Sequence, residues 1–298
     1  MKYAKFIIVM FLLFTSKFLF AATTVEVVWP FSAASSTTNY IRLVIEQANR
    51  TQNDYNFILV HKPGAGGVVA ASYVQNSQTL AILATSNAFF VRPYLYPGQH
   101  YDFKSFKPLI VMGKMPMAFV GRAGVEWNSI TSKNQISVGI PGLGSFSHVL
   151  AQHFADQNQK TIIVPYQGTT EALKDVGNGT LDLSLDVPSM ALANPALYNL
   201  YYITGTNTYN NKFKLASKVI DPVFNDLVLE FAIMAASETK PKVFDQLKSI
   251  LLQAHDNNTT LKNLYKNEWV TPISQDPDLW YEHNIRQWKK FTSNVNVK

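Results

Sequence analysis

The 298-residue chain contains no cysteine, which excludes disulfide bonds, thiolate nucleophiles, cysteine-ligated zinc and lipid attachment at an N-terminal cysteine. Metal-binding signatures are also missing, because there is no HExxH motif and His148 and His153 do not share a helix face. Dense Lys/Arg runs interleaved with aromatic residues are absent although the formal net charge is +6. We therefore expect no metal, no cofactor and no nucleic-acid partner.

Residues 1–21 have the pattern of a cleaved signal peptide. Lys2 and Lys5 precede an apolar run at 6–14, and Ala21 offers a small residue for cleavage. We predict cleavage after Ala21, export and a periplasmic location, which suits an exported protein without disulfides. The alternative is a retained membrane anchor, but the apolar run is shorter than the ~20 residues of a spanning helix.

The rest of the chain repeats one order of strands and helices. A first run predicts β-α-β-α-β at residues 25–29, 39–48, 55–60, 68–74 and 80–84. A second run predicts further strands and helices at residues 109–113, 118–120, 135–140, 145–157, 161–165, 170–178 and 181–185. Strands alternating with helices over short connections are typical of an α/β fold with parallel sheets.

The last part of the chain is mainly helical. A strand is predicted at 231–235 and the terminal helix at 277–291, in which Trp280 and Trp288 are interpreted as core residues. If this helix returns to the first lobe, the chain crosses between two lobes twice. Two crossings form a hinge.

The segment 137–154, SVGIPGLGSFSHVLAQHF, combines a strand end, a glycine turn and a helix start with Ser145 and Ser147. The unpaired N–H groups of a first helical turn, together with the helix dipole, stabilise an anion. A nucleotide is a weak alternative, because no ribose-binding acid and no P-loop lysine follow. A serine hydrolase is also weak, because the Gly-x-Ser-x-Gly elbow is missing.

Further candidate groups lie at other strand ends. Asp186 follows a predicted strand, so its carboxylate is expected at the crevice where α/β sheets bind ligands, although capping of the loop is an alternative. The helix openings carry hydroxyl groups and, in this interpretation, no cationic side chain. Neutral donors of this kind bind a small carboxylate without a permanent ion pair.

Several motifs resemble, in the same order, those of the tripartite tricarboxylate transporter substrate-binding proteins, or Bug receptors. The most specific one is the turn Lys62-Pro63-Gly64-Ala65-Gly66-Gly67, which is similar to RPGAGG. The others are Trp29-Pro30-Phe31 with Ala33, Thr85-Ser86 before Pro93-x-Leu95-Tyr96-Pro97, Gly142-x-Gly144-Ser145-x-Ser147-His148, Val164-Pro165-Tyr166-Gln167-Gly168 and Gly179-x-Leu181-Asp182 with Asp186. The closing helix at 277–289, with Trp288, also resembles that of the family. Together the matches run from about residue 25 to about residue 290, which is nearly the whole mature chain.

The resemblance implies a two-lobed periplasmic-binding-protein fold of class α/β, in which each lobe is a mostly parallel sheet flanked by helices. Lobe one would comprise 22–121 and 230–298, and lobe two 122–229. The ligand cleft would lie between the lobes and close over a small carboxylate. Its implied ligand-binding residues are Phe31, Ser32, Ala33, Ala34, Ser35, Thr38, Thr85, Ser86, Ser145, Phe146, Ser147, His148, Tyr166 and Asp186.

The resemblance further implies a monomeric receptor, without enzymatic activity, that delivers its ligand to the membrane permease subunits of a tripartite transporter. A sensor subunit that docks on a signalling protein is an alternative, and a periplasmic hydrolase is a weaker one. Three positions depart from the family pattern: Ala34-Ser35 replaces a glycine pair, and Thr38 replaces an aspartate. We expect these changes to alter ligand size, orientation or charge preference.

Overall fold

The computed structural model describes residues 22–33, 37–95, 98 and 101–292. The predicted signal peptide and the Ala34-Ser35 pair lie outside these ranges. The strands are β1 (Thr23–Trp29), β2 (Tyr55–His61), β3 (Ala81–Ser86), β4 (Phe106–Met115), β5 (Ala118–Arg122), β6 (Ile136–Ile140), β7 (Thr161–Pro165), β8 (Leu183–Asp186), β9 (Tyr198–Ile203), β10 (Leu229–Ala236) and β11 (Thr271–Pro272).

The α-helices cover the faces of the strands. They are α1 (Thr38–Thr51), α2 (Val68–Gln75), α3 (Ala88–Leu95), α4 (Trp127–Thr131), α5 (Phe146–Gln157), α6 (Thr169–Asn178), α7 (Pro188–Leu192), α8 (Pro241–Asp256), α9 (Thr259–Asn267) and α10 (Pro277–Thr292). A 3-10 turn at Ala65–Gly67 precedes α2 directly. In the described part of the chain, none of the helices combines the length and the apolar character needed to cross a bilayer.

The first sheet has six strands in the order β11-β4-β10-β3-β1-β2. β1 pairs in parallel with both β2 and β3, whereas β10 runs antiparallel between β3 and β4. Every residue of β3 is buried, as expected for a central strand with both faces covered. The carboxyl ends of β1, β2 and β3 therefore lie at one edge of this sheet.

The second sheet has five strands in the order β7-β6-β8-β5-β9. β6 pairs in parallel with β7 and β8, and β5 runs antiparallel between β8 and β9. Two mixed sheets with flanking helices agree with the predicted two-lobed α/β fold. One predicted boundary needs correction: β5 was assigned to lobe one, but its backbone pairs with β8, so the chain changes sheets between Met115 and Ala118.

The chain passes between the sheets twice, after β4 and after β9, and the two crossings are hydrogen-bonded to each other. The Met117 N–H donates to the Thr204 hydroxyl over 2.9 Å, and the Thr204 N–H donates to the Met117 carbonyl over 2.8 Å. Asn87, next to the end of β3, donates to the Val228 carbonyl over 2.8 Å. These bonds tie the crossing segments together beside the sheet edges.

The terminal helix α10 packs on α3 and β4 of the first sheet. Trp280 and Trp288 are buried, which confirms their prediction as core residues. The indole of Trp280 donates to Glu230 over 2.8 Å, and that of Trp288 donates to Asn284 over 3.0 Å. The Trp288 ring also lies 5.7 Å, centroid to centroid, from Phe146 at the start of α5, so α10 contacts both halves of the molecule.

Candidate ligand-binding cleft

A cleft of about 710 Å³ lies between the two sheets, at the ends of their parallel strands. Its walls are the segments that follow strands in both sheets: Pro30–Ser32, Pro63–Gly66 and Ser86 from the first sheet, and Pro141–Leu143 with Ser145, Pro165–Glu171 and Asp186–Val187 from the second. Open α/β sheets bind ligands at this edge, outside the carboxyl ends of the strands. The local sequence produces it because each of these strands is closed by glycine, proline or hydroxyl residues.

Arg92 brings a positive charge into the cleft wall from α3. The residue is only 4% exposed, and its Nη1 donates to the Leu143 carbonyl over 3.0 Å. Since Leu143 follows β6 of the second sheet, this hydrogen bond joins the two sides of the cleft. Beside the neutral donors expected at the helix openings, the cleft therefore contains a cationic side chain that the sequence analysis did not identify.

Sequence reasoning missed Arg92 because it missed the helix that carries it. Pro93 lies inside α3, and proline in a helical pattern normally argues for an end or a kink. A signal was nevertheless present, because Arg92 interrupts the apolar run 88–91, and arginine is almost never fully buried unless it is paired.

Two glycine turns, one from each side of the cleft, enclose the guanidinium. Gly66 has φ 60° and Gly144 has φ 80°. A Cβ atom at Gly144 would lie 2.3 Å from Arg92 Nη1, and one at Gly66 would lie 3.0 Å from the same atom. Both positions therefore require glycine for two reasons, the left-handed backbone and the close approach of Arg92.

The start of α5 is held by its own side chains. Ser145 is the N-cap, and its hydroxyl accepts a hydrogen bond from the His148 N–H over 3.2 Å. The Gly144 N–H donates to His148 Nδ1 over 3.1 Å, so the imidazole fixes the glycine turn. Burial and the charge of Arg92 lower the pKa of His148 to about 4, which keeps the ring neutral near pH 7. Ser145 is thus a cap that also lines the cleft.

Asp186 lies at the end of β8 and is 1% exposed. Its Oδ1 accepts from the Val187 N–H over 2.7 Å, whereas its buried Oδ2 has no hydrogen-bond partner in the part of the chain that the structure describes. Burial raises the pKa of Asp186 to about 7, although the Val187 N–H and the Thr169 hydroxyl act in the opposite direction. The cleft therefore contains a carboxyl group that changes its charge near neutral pH.

Tyr166 follows β7, and its hydroxyl is already engaged. It donates to Asp175 Oδ2 on α6 over 2.7 Å. Desolvation and this carboxylate raise the pKa of Tyr166 to about 12, so the phenol stays protonated under ordinary conditions. Tyr166 contributes its ring and backbone to the wall, while Asp175 holds the hydroxyl.

The structure brings most of the predicted ligand-binding residues to the cleft wall: Phe31, Ser32, Ser86, Ser145, Phe146, Ser147, Tyr166 and Asp186. Thr85, His148 and Thr38 are buried behind it, and Ala33 is exposed beside it. The Thr38 hydroxyl accepts from the Trp29 indole over 3.2 Å and donates to the Ser32 carbonyl over 3.3 Å, so it supports the first loop. Ala34 and Ser35 lie outside the described residues.

The donor set of this cleft suits an organic anion. Arg92, backbone N–H groups and hydroxyls surround it, and apolar side chains such as Met117 and Phe231 complete the wall. Among the residues that the structure describes, no group of three or more histidine or acidic side chains is placed to hold a metal ion. The site therefore offers hydrogen-bond donors and the fixed positive charge of Arg92 to a small anionic molecule.

Solved structures with the same fold are known. The periplasmic binding protein BugD superposes with a TM-score of 0.82 at 20% identity, covering 93% of this chain and 98% of BugD. R. palustris Rpa4515 with adipate gives 0.80 at 19% identity, covering 93% and 99% of the two chains. MatC (Rpa3494) from Rhodopseudomonas palustris with bound malate gives 0.79 at 18% identity, covering 92% and 100%. These similarities establish the periplasmic-binding-protein fold.

Curated relatives match over a shorter stretch. A UPF0065 protein from the tcbD-tcbE intergenic region of Pseudomonas sp. (strain P51) is 22% identical over 179 residues, 56% of this chain and 53% of the relative. A UPF0065 protein from the TAR-I ttuE-ttuC' intergenic region of Agrobacterium vitis is 26% identical over 181 residues, 56% of this chain and 51% of the relative. The chain therefore spans about half the length of the curated relatives it matches.

A family model settles the relationship that the motifs suggested. The model described as the tripartite tricarboxylate transporter family receptor matches residues 41–297, which is most of the chain. This range contains the glycine turns on both sides of the cleft, Arg92 and Asp186. The chain belongs to the tripartite tricarboxylate transporter receptor family.

Proposed function

We propose that this protein is a periplasmic receptor that captures a small carboxylate and delivers it to the membrane permease subunits of a tripartite transporter. The observation that supports this most is the position of Arg92, a buried cation in the wall of a cleft between two sheets. The uncharged donors at the start of α5 face the same space. A carboxylate between them would be bound from both sides.

Capture would proceed by closure of the two halves around the ligand. The two hydrogen-bonded crossings after β4 and β9 provide the hinge, and a ligand that contacts both walls stabilises the closed state by its higher affinity for it. The bond between Arg92 and Leu143 spans the two sides and belongs to the closed arrangement. The receptor acts as a monomer in this proposal, because one chain supplies both walls.

Neighbouring structures guide the choice of ligands. Rpa4515 is described with adipate and MatC with malate, so dicarboxylates with and without a hydroxyl group are the first compounds to test. Thermal-shift measurements on the chain without residues 1–21 should show stabilisation that grows with ligand concentration over Kd. Failure of every small carboxylate to stabilise the protein or to bind in calorimetry would refute the proposal.

A negative charge placed at the start of α5 tests whether the cleft wall formed by the second sheet contacts the ligand. Ser145→Asp keeps an N-cap acceptor but adds a negative charge that faces the ligand, whereas Ser145→Asn keeps the cap without the charge. We expect Ser145→Asp to weaken carboxylate binding by roughly tenfold and Ser145→Asn to have little effect. Equal affinities of the two variants in calorimetry would show that the ligand does not approach this helix.

A further inference from the structure

The buried oxygen of Asp186 is the feature of the cleft that the proposed function leaves unexplained. Asp186 lines the cleft together with the apolar residues Met117, Val187 and Phe231. The hydroxyl of Ser147, a nearby donor, is already committed to the Leu185 carbonyl over 2.9 Å. Asp186 lines the cleft, and its buried Oδ2 makes no hydrogen bond within the described residues, although the Thr169 hydroxyl lies near enough to favour the ionised carboxylate.

Among the residues that the structure describes, the titratable groups of the surrounding elements do not compensate an anion at Asp186. His148 of α5 is neutral near pH 7, because burial and Arg92 lower its pKa to about 4. Tyr166 after β7 is neutral as well, because burial and Asp175 raise its pKa to about 12. Glu171, in the first turn of α6, brings a further negative charge to the wall.

The positive charge of Arg92 acts on other groups of the cleft and not on Asp186. Arg92 lies against the Gly144 turn and influences His148, whereas the groups that favour the ionised form of Asp186 are the Val187 N–H and the Thr169 hydroxyl. Neither of these carries a charge. An ionised Asp186 would therefore meet a ligand carboxylate as a second negative charge in a desolvated site, where two carboxyl groups normally share one proton.

We propose that Asp186 enters the ligand complex as a neutral carboxyl group that donates a hydrogen bond from Oδ2 to a ligand carboxylate oxygen, so that the receptor takes up one proton with each anion. The inference rests on the proposed function, since it requires a carboxylate ligand. The proton comes from solvent and remains on Asp186, and no covalent bond changes. A hydrogen bond from a carboxylic acid to a carboxylate is short and strong, and it satisfies the buried oxygen.

Proton uptake can be measured directly by calorimetry at pH 8 in two buffers with different ionisation enthalpies. Malate and adipate are the probes, together with any carboxylate that thermal shift identifies. We expect uptake approaching one proton per ligand in the native protein, and an affinity that falls up to tenfold for each pH unit above 8. Binding without proton uptake would overturn the inference while leaving the proposed function intact.

Two variants assign the proton to a residue. Asp186→Asn keeps a hydrogen-bond donor but cannot titrate, so it should bind the carboxylate with no proton uptake and with an affinity independent of pH. Glu171→Gln removes a second acidic side chain that lines the cleft and should leave proton uptake unchanged. Loss of uptake in Glu171→Gln, or its persistence in Asp186→Asn, would contradict the assignment to Asp186.

A measurement without ligand separates this inference from the proposed function. The carboxyl-carbon resonance that disappears in Asp186→Asn identifies Asp186 in ¹³C NMR spectra of the native protein. We expect this resonance to titrate close to neutral pH. Titration below pH 5 would overturn the inference whichever ligand the protein binds, whereas failure of every carboxylate to bind would refute the proposed function.

Discussion

The two sides of the cleft differ in how their charge is set. The first side, formed by segments of the first sheet, carries Arg92, whose guanidinium keeps its positive charge at any ordinary pH. The second side is formed by segments of the second sheet. The second side carries His148 behind the wall and Asp186 in it, whose pKa values burial moves to about 4 and about 7. One side therefore attracts an anion permanently, whereas the charge of the other depends on pH. The following predictions test this contrast.

The largest expected effect is a pair of opposite pH dependences of folding stability on the second side. The folded pKa of His148, about 4, lies below its usual value of 6.5, so its contribution is present above pH 6.5 and is lost as the pH falls toward 4. The folded pKa of Asp186, about 7, lies above 3.8, so its contribution is present below pH 3.8 and is lost as the pH rises toward 7. In the native protein the two slopes oppose each other.

Single variants should separate the two slopes. Asp186→Asn should gain stability with rising pH between 4 and 7, and His148→Gln should lose it over the same range. Each change is on the order of 3–4 kcal/mol, since one pKa unit corresponds to about 1.4 kcal/mol. Urea unfolding at four pH values between 4 and 8 measures both variants. Parallel pH profiles of native protein and variants would show that neither group is desolvated.

Removal of the fixed charge on the first side should have the next largest effect. Arg92→Gln loses both the cation and its bond to the Leu143 carbonyl. We expect carboxylate affinity to fall by roughly 10- to 150-fold, because a hydrogen bond to a charged group contributes about 1.5–3 kcal/mol. The carboxylate affinity of Arg92→Lys should lie between those of the native protein and Arg92→Gln, since lysine keeps the charge but lacks the planar guanidinium. Calorimetry measures the Kd of the three proteins. Identical values would show that Arg92 does not contribute to ligand binding.

The glycine turn of the second side offers a matched pair of variants. Gly142 and Gly144 both have positive φ, so alanine should cost about 1–2 kcal/mol of stability at either position. Only the Gly144→Ala methyl would collide with Arg92, because the nearest atom to a Cβ at Gly142 is 3.8 Å away. We therefore expect a several-fold loss of affinity in Gly144→Ala alone. A similar loss in Gly142→Ala would attribute the effect to the backbone rather than to Arg92.

The smallest expected effect concerns Thr38 on the first side. Thr38→Val removes the acceptor of the Trp29 indole and should cost about 1 kcal/mol in chemical unfolding. Thr38→Ser keeps the hydroxyl and should be nearly neutral. Ligand affinity should change by less than about twofold in both, since Thr38 supports the loop from behind the wall. A large affinity change in Thr38→Val would place this side chain in contact with the ligand.

Local patterns in the sequence predicted most of the elements well. The glycine turn and helix start around Ser145 form as expected, because the cap, the turn and the apolar spacing all lie within a few neighbouring residues. The helix α3 was not predicted, because Pro93 argued against a helix there. The edge strand β9 was not predicted either. The chain position of β5 was predicted but its sheet was not, because pairing with β8 joins residues that are far apart in the sequence.

The sequence by itself determined the α/β class, the strand-end loops that form the cleft and the family to which the chain belongs, because each depends on short motifs with fixed spacing. The tertiary structure alone decided the electrostatics of the cleft. Arg92 becomes its buried cation only when α3 packs beside the two glycine turns. Asp186 changes its charge near neutral pH only when folding removes it from water. Burial depends on contacts between distant segments, and no local pattern specifies them.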